Sequence, residues 1–292
     1  MPTLIPVQYG RLKYPGTIEP ELVEVPGHFD KDTLPYGLTR YSLHTEYSAG
    51  PRHLTSALLR RFDCLIKSNH RNVPMLWTSE EWAVQFAHFI IALVGNQRPP
   101  EIVEVHPPFE QSCPSMERFL ELYRKFEEVL REKFPDARIV VENRCGGRGL
   151  PGKFLVSTVA DTLDLARAIA EQQSTLTIVL DVPQVFTAER LDAVTASAEE
   201  IRTLMSRLRP AMPVVTGLHL WGSTLRGGSH SADLNEHFGY RQDVKSSFVR
   251  DLSSLLDDDR ERYFVPEINS GRRDVLESIV RDLIQGGFRF SQ

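Results

Sequence analysis

Short apolar runs rich in β-branched residues recur along the chain, separated by longer stretches in which apolar residues return every three or four positions. The clearest runs cover residues 102–107, 138–143, 176–182, 215–220 and 263–268. Near-continuous apolar runs of this length suit strands buried on both faces, as in a parallel sheet. Residues 115–134 predict an amphipathic helix, with Met116, Phe119, Leu120, Tyr123, Phe126 and Leu130 near a 3.6-residue period. Residues 156–172, 188–208 and 244–256 predict further helices in the same way. Weaker runs at 4–9, 21–25 and 40–44 supply three more strands, which makes eight. The stretch from 50 to 100 is too long for one simple crossover and reads as a helical elaboration. It holds helices near 54–67 and 79–94 and a proline-containing connection, with a strand at 72–77 as the alternative.

Strands alternating with helices imply right-handed βαβ units. Eight of them predict a single α/β domain over residues 1–292, a (β/α)8 TIM barrel. The length fits, because such barrels typically take about 250 residues. Composition leaves this picture intact: the chain is 41% hydrophobic and 25% charged, which is globular rather than disordered. A formal charge of −5 argues against nucleic-acid binding by overall charge but leaves room for a local basic groove. Cys64, Cys113 and Cys145 are odd in number and lack CxxC spacing, which argues against a disulfide framework or a zinc ribbon. No apolar run approaches the roughly 20 residues that span a bilayer. The expectation is therefore a cytoplasmic protein with no membrane partner.

Candidate chemistry sits at the ends of the late strands. Glu142 ends RIVVE, Asp181 ends IVLD, His219 ends GLH and Glu267 ends FVPE, while His106 ends VEVH in the same manner. Successive spacings run from 36 to 48 residues, about one βα unit each, so all five are expected at the C-terminal rim where barrel enzymes gather catalytic residues. Carboxylates with neutral imidazoles suit a divalent ion of borderline hardness, Zn²⁺ or Mn²⁺. Any one of these residues alone is more simply a helix cap or a solvated loop residue. Four apolar strands each ending in a ligand-type residue favour the metal reading.

At these residues the sequence resembles the xylose-isomerase-like barrel superfamily, which joins sugar isomerases and epimerases to endonuclease-IV-type apurinic endonucleases. The Glu, Asp, His, Glu order on the last four strands resembles its shared metal site. Local matches lean toward the endonuclease branch. Val105-His-Pro-Pro resembles its His-Pro turn, and Glu142-Asn-Arg-Cys-Gly-Gly-Arg-Gly its Glu-Asn-x-Ala-Gly-x-Gly segment. Asp233-Leu-Asn-Glu-His-Phe-Gly resembles its Asp-x-His-x-x-Ile-Gly loop, and His44 in Leu-His-Thr-Glu-Tyr its His-x-x-Tyr. The chain departs from the pattern where the family's Asp-x-x-His reads Asp181-Val-Pro-Gln184 and its Asp-x-His reads Asp233-Leu-Asn235. Carboxamides are poor zinc ligands. The resemblance therefore implies one or two ions rather than three. His44, His106 and Glu142 would hold one, and Glu142 would bridge to a second on Asp181, His219 and Glu267. Gln184, His230, Asp233, Asn235 and His237 remain candidates for a third ion or for substrate.

Three functions are in view. A metal-dependent phosphodiester hydrolase acting at abasic sites in DNA would use the ions to position water, with Arg144, Arg148, Lys153 and Arg226 on phosphates. A sugar or sugar-acid isomerase or epimerase would use Glu142 and Glu267 as acid and base on a small sugar-like substrate, with Trp221 available to stack on it. A non-catalytic binding barrel is the third reading. His28, His53, His70 and His88 are read as structural or exposed, His70 being the rival of His44. Cys145 has no visible base partner and is not expected to be a nucleophile.

Overall fold

The protein is described by a computed structural model at residues 1–146, 150–224, 230–269 and 271–291. Its fold class is a (β/α)8 barrel of eight parallel strands: β1 Thr3–Gln8, β2 Leu22–Gly27, β3 Tyr41–Thr45, β4 Ile102–Val105, β5 Arg138–Glu142, β6 Thr177–Asp181, β7 Val215–Leu220 and β8 Glu261–Pro266. The main helices are α1 Glu80–Val94, α2 Met116–Arg131, α3 Val159–Glu171, α4 Val182–Ala188, α5 Ala198–Arg207, α6 Gln242–Leu256 and α7 Arg273–Gln285. All eight expected strands form, with no end shifted by more than two residues. No helix among the described residues is long and apolar enough to cross a membrane.

Two compact units divide the chain. One comprises residues 1–24, 158–163 and 178–292. Within it β6 pairs with β7, β7 with β8, and β8 with β1, so that Asp181 lies opposite His219 and Val265 opposite His219 on the other side. A two-residue strand, Arg289–Phe290, also pairs with β1. The other unit comprises residues 25–157 and 164–177. Its strands run β3–β4–β5, with His44 opposite Glu104. Its helices α1 and α2 bury an aromatic cluster in which Trp77 meets Trp82, Phe86, Phe119 and Phe126 at ring separations of 5.2–5.9 Å. Burial of that much ring surface is the main reason these two helices hold their places.

Two helix expectations and one strand alternative need correction. Residues 188–208 hold one shorter helix, α5 Ala198–Arg207, and Ala188 is the last residue of α4. Asp181 caps α4, accepting the Gln184 N–H, and Pro183 sits in the first turn, so a helix starts well before residue 188. Ser197 and Glu200 then form a capping box that starts α5 anew. Residues 54–67 give only a 3-10 turn at Leu59–Arg61 and one helical turn at Asp63–Lys67. The alternative strand at 72–77 shrinks to Val73–Pro74, paired antiparallel with Asn69–His70 outside the barrel sheet. Helix α1 begins as expected, because Ser79 accepts the Trp82 N–H.

Candidate metal centre

In the unit that carries β3, β4 and β5, four ligand-type side chains meet. His44 is the penultimate residue of β3, His106 follows β4, and Glu142 ends β5. The fourth is Glu104, two residues before His106, which the period-2 alternation of a strand places on the same face. Ligand atoms of His44, Glu104, His106 and Glu142 all lie within 4.8 Å of one another, and all four residues are buried. His106 Nε2 is 2.9 Å from Glu142 Oε2, His44 Nδ1 is 3.6 Å from Glu104 Oε1, and the two imidazoles stack at 4.8 Å.

His106 shows best that this group fits a cation. Burial pushes its pKa down to about 3, against the Glu142 hydrogen bond and charge, so the ring is neutral near pH 7. Its Nδ1 lies 3.2 Å from the Glu46 carbonyl, which only accepts. A proton on Nδ1 leaves the Nε2 lone pair facing a carboxylate oxygen at 2.9 Å. The 2.9 Å contact is of hydrogen-bond length with a proton on Nε2, whereas two donors on one tetrahedral ion at about 2.0–2.1 Å stand roughly 3.3 Å apart. With the proton on Nδ1, a shift of a few tenths of an ångström lets both atoms face one ion. The Trp77 indole N–H donates to the His106 carbonyl at 2.7 Å, and Trp77 adopts a left-handed backbone, φ 57°, to reach it. Such a conformation in a bulky residue is costly and is kept only where surrounding contacts enforce it.

His28 is not idle. Its ring meets that of His44 edge-on at 6.1 Å and that of Tyr47 at 4.8 Å, and burial, with the neighbouring His44, pushes its pKa down to about 2. His53, His70 and His88 are exposed, which removes His70 as the rival of His44. Reasoning from strand ends missed Glu104, although the sequence VEVH placed an acidic residue two positions before the candidate histidine. The contacts of His28 had no comparable signal, whereas Tyr47 is the tyrosine of the His-x-x-Tyr match that begins at His44.

The other unit brings together the remaining late-strand residues. His219 Nδ1 lies 3.5 Å from Glu267 Oε1. Asp181 accepts the Trp221 indole N–H at 3.1 Å as well as the Gln184 N–H at 3.0 Å, which fixes its carboxylate. Asp181, His219 and Glu267 are buried, as is Gln184 in the first turn of α4. His230 stacks on Trp221 at 4.2 Å, with Nδ1 3.6 Å from Glu267 Oε2. The chain reaches this position because Gly222 and Ala232 form an antiparallel bridge. A Cβ on Gly222 would come within 2.4 Å of the Ala232 carbonyl oxygen, so only glycine permits the approach.

Asp233 and Asn235 take part in a structural network. Asp233 accepts the Glu236 N–H, the Ser278 hydroxyl and the Asn235 amide, while Asn235 accepts Lys245 Nζ at 2.7 Å. Burial opposes ionisation of Asp233, yet these hydrogen bonds hold its carboxyl below the usual range. Lys245 also pairs with Asp282 at 2.7 Å, joining α6 to α7. His237 is buried beside a cavity of about 260 Å³ lined by Phe186, Leu191 and Val194, and its Nδ1 accepts the Ser223 N–H. Of the cations expected on phosphate, Lys153 pairs with Glu110 at 3.1 Å. Arg144 lies against the Tyr47 and Phe154 rings. Arg148 and Arg226 fall outside the described residues.

No protein-family model matches the sequence, and no curated protein does. The chain is similar in structure to AsfvAP, solved as AsfvAP:AG, at 14% identity and a TM-score of 0.48 over 83% of each chain. It is similar to a xylose isomerase domain containing protein from Salmonella typhimurium LT2, at 11% identity and a TM-score of 0.47 over 96% of each chain. A xylose isomerase domain protein from Alicyclobacillus acidocaldarius gives 13% identity and a TM-score of 0.46, over 97% of this chain and 99% of that one. Likenesses this distant assign no activity. The case for a metal centre rests on the buried His44, Glu104, His106 and Glu142.

Proposed function

We propose that the chain is a divalent-metal-dependent phosphodiester hydrolase, with an abasic site in DNA as its first candidate substrate. One observation carries the reading: two imidazoles and two carboxylates from β3, β4 and β5 gather in one buried group. A sugar isomerase of the resembled type needs one ion on the last four strands, and the β3–β5 group supplies a ligand set beyond that need. The proposal retains the expectation that Asp181, His219 and Glu267 would hold a second ion, which their order at successive strand ends supports.

Bound to these residues, a divalent ion supplies Lewis acidity to a phosphoryl oxygen and lowers the pKa of water toward about 7. The chain's own groups do the rest. Water attacks phosphorus, the ester P–O bond breaks, the departing oxygen leaves with the electron pair, and a carboxylate takes the proton of the water. Glu142 and Glu267 are assigned that proton traffic. The hydrogen bonds on Asp181 and His106 keep their neighbours oriented.

The test is incision of a duplex containing one abasic site, with zinc or manganese and again with chelator. Chelator-sensitive incision supports the proposal. No incision, together with turnover of a keto sugar, would transfer the chain to the isomerases. Glu267→Gln is expected to abolish turnover while leaving the thermal melt intact, and retained turnover would remove Glu267 from the site.

A further inference from the structure

Close to the β3–β5 cluster lies a cation that no carboxylate among the described residues pairs with. Arg144 sits two residues after Glu142. Its N–H donates to the Val156 carbonyl at 2.8 Å and its own carbonyl accepts the Ser157 hydroxyl at 2.6 Å, so the backbone is held on both sides. The guanidinium carbon lies 5.1 Å from the centre of the Tyr47 ring and 5.9 Å from that of Phe154. Its Nε is buried and meets no hydrogen-bond acceptor among the described residues. Lys153 and Arg52, by contrast, have Glu110 and Glu46.

Glu46 is the partner of Arg52. Fully buried, it accepts the N–H groups of Phe29, Tyr47 and Ser48 as well as Arg52 Nε at 3.1 Å. Arg52 in turn lies 4.6 Å from the Tyr47 ring centre, and its Nη2 is also buried without an acceptor. Tyr47 thus stands between two guanidinium groups and the imidazoles of His44 and His106, whose ring centres are 5.6 and 5.9 Å away. Aromatic faces orient a guanidinium without cancelling its charge. A buried charged donor left unmatched is costly, which makes it a pointer to a ligand oxygen.

We propose that Arg144, with Arg52 and the Tyr47 ring, forms an oxyanion subsite beside the metal-ligand cluster that takes the phosphate group of a phosphoester substrate. The choice of phosphate rests on the hydrolase reading; the existence of the subsite does not. The planar guanidinium fork matches two oxygens of one phosphate, and the Tyr47 face carries the apolar part of the ester next to it.

Calorimetric titration with phenyl phosphate tests this, on chelator-treated and on zinc-loaded protein, with benzoate as the competing oxyanion. Arg144→Gln is expected to weaken phenyl phosphate binding by about tenfold or more in both forms, the loss typical of a charged hydrogen bond. Arg144→Lys restores part of it, and zinc affinity stays at the wild-type value in both variants. Equal affinity in wild type and Arg144→Gln overturns the subsite, as does absence of binding by the wild type in both forms. Benzoate binding as tightly as phenyl phosphate overturns the assignment to phosphate. Arg144-dependent binding without metal-dependent incision of an abasic duplex would uphold the subsite and remove the proposed activity, so the two claims fail separately.

Discussion

His106 shows how single residues shape the centre. Its Nδ1 faces the Glu46 carbonyl, its carbonyl accepts the Trp77 indole, and its Nε2 faces Glu142, where it offers a lone pair to a cation when the proton sits on Nδ1. Trp77→Phe keeps most of the ring packing and removes one hydrogen bond. It is expected to cost about 1 kcal/mol of stability. Because it loosens a ligand's support, it should also weaken zinc binding by about tenfold. Unchanged zinc affinity in a competition assay with a chelating dye would show that Trp77 only packs. Glu104→Gln removes one charge from the buried group and should weaken zinc at least as much, with the fold intact by circular dichroism. The candidates at strand ends were legible because their types broke otherwise apolar runs. Glu104 had the same signal but lay one residue before the end of β4, and the edge-on contact of His28 with Tyr47 joins residues far apart in sequence that no short-range pattern links.

At the scale of elements, strands were easier to read than helix boundaries. The apolar runs identified each strand because both faces are buried, whereas the late start of the helix expected over 188–208 depended on caps. Ser197 and Glu200 were visible in the sequence, but the continuing apolar spacing across them masked the break. The Asp233–Asn235 segment was read through a family pattern, and its side chains instead join the turn before α6 to α6 and α7. Lys245→Met would leave Asp282 buried without its cation and is expected to destabilise the protein by about 3–5 kcal/mol. A urea midpoint equal to that of the wild type would contradict this. His237 gives the same region a pH dependence. Burial lowers its pKa from 6.5 to about 4, partly offset by Asp192, so the unfolded chain takes up the proton first as pH falls. Stability present above pH 6.5 is therefore lost on the way down to about 4, by roughly 2 kcal/mol at pH 5. Comparing urea midpoints of wild type and His237→Phe at pH 7 and pH 5 checks this. The wild type should lose more, and equal losses would place the titration elsewhere.

For the whole molecule, alternation of strand and helix was enough to specify the (β/α)8 barrel, because eight parallel strands with helical crossovers leave few other topologies. The chemistry was legible to the extent that ligand types sit at strand ends, and the substrate was not, because it is set by loops and by cations such as Arg144. The proposed hydrolase activity depends on the buried group of His44, Glu104, His106 and Glu142 holding an ion. The most direct measurement is a crystal of the zinc-saturated protein with anomalous data at the zinc edge, repeated with manganese. The expected result is a peak bounded by those four side chains, a second on Asp181, His219 and Glu267, and loss of the first in Glu142→Gln. A saturated protein with no peak at His44, Glu104, His106 and Glu142 for either metal would contradict the account.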